Sequence, residues 1–98
     1  NRKAERRRIA ELRQERAKVL KPLKKRVETA ERDIERLEEL LAELEDVQCA
    51  PDHYQDATEV VRVNRDVKQA QRDLEVAMET WEEAEEALGE AASKFDES

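Results

Sequence analysis

The chain has 98 residues, of which 46% are charged, 38% hydrophobic and only 3% aromatic, with a formal net charge of −7. A chain this short and polar cannot enclose a broad globular core and has only a narrow apolar seam to bury. One Gly and two Pro, against heavy use of Glu, Arg, Lys, Ala and Leu, argue against strands and for long helices, because these side chains lose little freedom on a helix.

Residues 1–21 read as a basic linker that forms the N-terminal part of a first helix. The chain opens at Asn1 inside a charged helical pattern, with no apolar leader, and is therefore read as a domain excised from a longer protein. Clustered cations such as Arg2, Lys3, Arg6, Arg7, Arg8 and Arg13 bind phosphate backbones through counterion release, and these six are the candidate nucleic-acid contacts. The alternative is a solvated face partly neutralised by the acidic second helix.

Residues 22–98 read as the hairpin proper. In its first helix, ending at about residue 47, the apolar positions are Leu20, Leu23, Val27, Ala30, Ile34, Leu37, Leu41 and Leu44. The same phase runs back through Arg16, Arg13 and Ile9, with Leu12 and Val19 flanking it, so the seam turns partly basic toward the N-terminus. Pro22 removes a backbone donor and crowds the carbonyl of Lys18. A kink or a break is expected there, and because the heptad phase survives from Leu20 to Leu23 a kinked continuation is favoured over two separate helices.

The turn is expected over residues 48–56, where Pro51 interrupts the repeat. Tyr54 is expected to fold over the end of the seam near Leu44 and Val60. Asp56, with Glu59 three residues on, has the spacing of a capping box and starts a second helix at about 57. That helix, to about 95, carries Val60, Val63, Val67, Ala70, Leu74, Ala77, Trp81, Ala84, Leu88, Ala91 and Phe95. Gaps of three and four alternate throughout, the 3.5-residue repeat of a coiled coil. The fold class is therefore all-α: a two-helix antiparallel coiled-coil hairpin with a short turn containing Pro and Tyr.

Placing Leu44 against Val60 makes facing residue numbers sum to 104. Ile34 then meets Ala70, Ala30 meets Leu74, Val27 meets Ala77, Leu23 meets Trp81 and Leu20 meets Ala84. Large residues mostly meet small ones, which lets helices approach closely. The Ala repeat at 70, 77, 84 and 91 serves that approach or, alternatively, a groove for a third helix. Residues 1–26 hold 12 Lys or Arg and 3 Glu, a net of +9, which leaves −16 for the other 72. An antiparallel pair is expected to lay Arg2–Arg26 beside Glu75, Glu79, Glu82, Glu83, Glu85, Glu86 and Glu90.

Chemistry finds little foothold. A phosphate loop needs several glycines and Gly89 is the only one. One His and one Cys do not furnish a buried nucleophile and base without a pocket, so no catalytic residue is assigned and the chain is not expected to be an enzyme. Cys49 and His53 stand four apart, but a stable zinc site wants about four ligands, so no metal is assigned. Trp81 is read as a seam residue rather than a base-stacking platform. No apolar run approaches the roughly 20 residues needed to span a bilayer, so no membrane contact is expected.

The stretch Pro22-Leu23-Lys24-Lys25-Arg26-Val27-Glu28, then Ile34-Glu35-Arg36-Leu37-Glu38, the turn Tyr54-Gln55-Asp56, and later Leu74-Glu75 with Trp81-Glu82-Glu83 resemble the C-terminal coiled-coil domain of ABC-F ATPases, the Uup-like group. Arg2-Lys3-Ala4-Glu5-Arg6-Arg7-Arg8 with Ala10-Glu11-Leu12-Arg13 is similar to the basic linker preceding that hairpin. The resemblance implies a cytoplasmic parent chain with two ATP-binding cassettes, ATP and Mg being bound there and no cofactor here. It further implies contact with the ribosome, or binding of DNA or RNA, by this domain. The acidic second helix departs from a fully basic hairpin, so only the N-terminal patch carries over. The rival reading is a spacer or dimerisation coiled coil, with homodimers pairing two hairpins into a four-helix bundle.

Overall fold

The computed structural model describes residues 1–96; the last two positions of the hairpin domain expected over 22–98 lie outside the described residues. Helix α1 runs Arg2–Cys49 and helix α2 runs Ala57–Asp96, with a single 3₁₀ turn at His53–Gln55 between them, and no strand occurs among the described residues. The chain is a helical hairpin. It divides into two compact units: Ala30–Thr80, which contains the turn, and Asn1–Thr29 with the segment from Trp81 onward.

Every seam position read from the sequence between Leu20 and Phe95 is buried or half-buried. Burial comes from the 3.5-residue repeat, which keeps one stripe of each helix facing its partner. In the turn-containing unit, Leu44, Val63 and Ala70 form the core with Leu41 and Val67 packed against them. In the other unit Leu20, Val27 and Ala84 are buried. Ahead of Leu20 the stripe is exposed at Arg16, Arg13 and Ile9.

The helix ends are closed by local chemistry. Asn1 Oδ1 accepts from the Lys3 amide at 3.0 Å, and Asp56 Oδ1 accepts from the Thr58 and Glu59 amides at 3.0 and 3.3 Å. Asp56 is thus the N-cap of α2; among the described residues Glu59 makes no return bond. At Pro22 the helix continues: α1 is one uninterrupted element.

The register differs from the expected one. Leu44 clusters with Val63, one turn beyond Val60, and Ala70, expected opposite Ile34, belongs to the cluster of Leu44 and Leu41. Side chains reaching between the helices agree: Gln48 Nε2 donates to Asn64 Oδ1 at 3.0 Å, and Arg16 pairs with Asp96 at 3.2 Å. Both pairs sum to 112 rather than 104. At the turn, α1 ends at Cys49, α2 starts at Ala57, and the 3₁₀ segment between them brings one further residue onto the seam.

That residue is His53. It is 3% exposed, whereas Tyr54, the side chain expected to cover the seam, is 75% exposed, its ring edge-on to the imidazole at a 5.0 Å centroid distance. A chain of bonds sets the tip: the Ala50 amide donates to the Val47 carbonyl, His53 to Ala50 and Gln55 to Asp52.

Candidate functional site

All six candidate cations lie in the first turns of α1, and all are exposed. Helical spacing sorts them. Arg2, Arg6 and Arg13 share the stripe that turns apolar from Leu20 onward; Lys3 and Arg7 lie on the adjoining face, and Arg8 points away from both. Ahead of Leu20 the exposed stripe of α1 is thus mostly basic, with Ile9 among its cations, and from Leu20 onward it is apolar and covered.

On α1 around its exit from the basic segment, Arg13, Arg16, Lys21 and Lys24 surround Ala17 and Leu20 in a shallow groove. On the adjoining surface Lys18, Lys21 and Lys25 rim Ala17 and the Pro22 ring. Lys and Arg stems lying over apolar surface keep their charged ends in solvent, which suits contact with a polyanion.

The acidic arm was expected to lie beside the whole of Arg2–Arg26. Because Arg16 already meets Asp96, the carboxylates from Glu82 to Glu90 run beside residues after Arg16, and Arg2–Arg13 lie beyond that ion pair. Among the described residues, Arg16–Asp96 is the one ion pair that joins the two helices; Arg62–Asp66, at 3.6 Å, is internal to α2. Orientation is therefore set by the seam and turn rather than by a ladder of cross-helix pairs. Surface pairs of this kind contribute little.

A second group of cations did not stand out from the overall acidity of the second half. Arg62, Arg65, Lys68 and Arg72 recur at three- and four-residue spacing on one exposed side of α2 after the turn. The signal was periodic and local, and it vanishes in a sum over the helix.

At the turn, Cys49 is exposed and His53 is buried, so the two side chains occupy opposite environments. Among the described residues no group of three or more His, Cys, Asp or Glu is placed to hold a metal. Nδ1 of His53 and Nε1 of Trp81 are buried without a hydrogen-bond partner among those residues. Trp81 is half-buried on the seam, as expected. No described helix is long and apolar enough to cross a membrane.

A protein-family model described as ABC transporter C-terminal domain matches residues 18–86. The match covers the turn and the adjoining parts of both helices, including Lys18–Arg26 and Arg62–Arg72, and begins after the six candidate cations. Neither a curated protein nor a solved structure matches the chain.

Proposed function

We infer that this chain, which belongs to the ABC transporter C-terminal domain family, is an accessory domain of an ABC protein that contacts nucleic acid or the ribosome through the basic face of α1. Under this reading the parent is an ABC-F ATPase whose cassettes bind ATP and Mg and hydrolyse the nucleotide, and the hairpin supplies contact rather than chemistry. The observation that supports it is the net charge of +9 over residues 1–26, with Arg2, Arg6 and Arg13 exposed along the stripe that continues the seam. A cation-rich helix neutralises phosphates and releases their counterions.

A second reading, a protein-interaction coiled coil, draws on Leu40 and Val47, two large apolar side chains seven residues apart and each 37% exposed. They would flank a further helix.

Titration of labelled RNA and DNA at two salt concentrations separates the readings. Contact with about six phosphates predicts a loss of roughly 10³-fold in affinity between about 50 and 200 mM salt. Arg2→Glu with Arg6→Glu and Arg13→Glu is expected to abolish the complex. No binding at about 50 mM salt defeats the nucleic-acid reading for this domain.

A further inference from the structure

We propose that the exposed face of α2 just after the turn is a docking surface for an acidic protein segment carrying an apolar anchor residue. Ala57, Thr58, Val61, Arg62 and Arg65 line one shallow depression there. Val61 is 58% exposed, and Lys68 and Arg72 continue the same side of the helix. From Val61 to Arg72 the strip extends about 16 Å, three turns of helix.

Two of its cations are already engaged. Arg62 pairs with Asp66 at 3.6 Å, and Arg72 Nη2 donates to Gln69 Oε1 at 2.9 Å. Arg65 and Lys68 have no such partner among the described residues, so they are the pair available to carboxylates. An apolar side chain on the partner would cover Val61 and Ala57 in the depression, on the N-terminal side of these two charges.

Charge and shape select a protein segment over a polyanion. Residues 57–72 hold four cations but also Glu59 and Asp66, a net of only +2, against +9 for residues 1–26. A nucleic-acid duplex presents one charge per about 1.7 Å of axis and would set phosphates against both carboxylates. A peptide with carboxylates at helical spacing avoids them, and its apolar residue uses Val61, for which a phosphate backbone has no complement.

The surface lies on the other helix from the Arg2, Arg6 and Arg13 stripe and in the other compact unit, so the proposal stands or falls separately from the reading above. The test follows amide cross-peaks of the ¹⁵N-labelled chain against three probes: a short peptide of Glu with one Leu per turn, a poly-Glu peptide of equal length, and a short RNA duplex. The Glu-Leu peptide is expected to move the signals of residues 57–72 and to bind about fivefold tighter than poly-Glu, the difference contributed by covering Val61. Val61→Ser should erase that difference, and Arg65→Glu with Lys68→Glu should weaken the Glu-Leu peptide by at least about tenfold. These three side chains are exposed, and circular dichroism checks that helicity is kept. The proposal is overturned if the Glu-Leu peptide leaves residues 57–72 unmoved, or if the duplex moves them more strongly and Val61→Ser changes nothing.

Discussion

The side-chain amide of Gln48, in the last turn of α1, donates to the side-chain oxygen Oδ1 of Asn64, in the second turn of α2, at 3.0 Å. The bond records the axial offset of the helices beside the turn, which no periodicity along one helix contains. In a Cys49→Ser background, Gln48→Cys with Asn64→Cys is expected to be bridged efficiently by a short bis-maleimide. Leu40→Cys with Asn64→Cys, the pair that sums to 104, lies about 12 Å further along the axis at the rise of an α-helix and should react poorly. Faster bridging of the second pair would place Leu40, rather than Gln48, beside Asn64.

Ala84 is fully buried, at 0% exposure. If the Ala repeat serves close approach of the two helices, Ala84→Leu should cost about 1–3 kcal/mol through overpacking. Ala42→Leu, on an exposed position of α1, should be neutral to within about 0.5 kcal/mol. Denaturant titration measures both, and equal effects would refute the close-packing account.

At the tip, His53 is buried and Tyr54 is not. Nδ1 of His53 is buried with no partner among the described residues, and replacing the imidazole with an apolar group of similar size removes that desolvation cost, so His53→Leu should leave the fold as stable or make it more stable. Tyr54→Ser should change stability by less than about 0.5 kcal/mol. A large loss from the tyrosine variant would restore it as the cover of the seam.

Gly89 sits inside α2 with nothing within 4 Å of where a Cβ would stand. Alanine there gains helix propensity without a clash, so Gly89→Ala should stabilise the chain by about 1 kcal/mol. A higher midpoint of thermal unfolding is the expected result; a lower one would indicate a neighbour packed on that face.

The local rules in the sequence were sufficient wherever a feature depends on one helix alone. The seam of α2 from Val60 to Phe95 and that of α1 from Leu20 to Leu44 follow from a repeat that must keep one stripe against a partner, and burial matches it. Asp56 was legible as a cap because its carboxylate needs only the amides two and three residues ahead. The six candidate cations were legible as a basic run, and the same period that puts Arg13 on the seam stripe sorts them among helix faces, because α1 is continuous from Arg2.

Three outcomes needed the tertiary structure. The axial offset depends on how much chain the turn consumes, and the composition of residues 48–56 does not state whether His53 or Tyr54 turns inward. The heptad phase preserved from Leu20 to Leu23 favoured continuation through Pro22, and the structure decided it: α1 is one element with Pro22 inside. Which residues of α1 the acidic stretch accompanies follows from the offset, because Arg16 meets Asp96 and the carboxylates from Glu82 to Glu90 therefore run beside residues after it. Sequence by itself thus determined which residues face inward on each helix, a matter of period; the tertiary structure decided which of them meet, a matter of translation along an axis to which the period is blind.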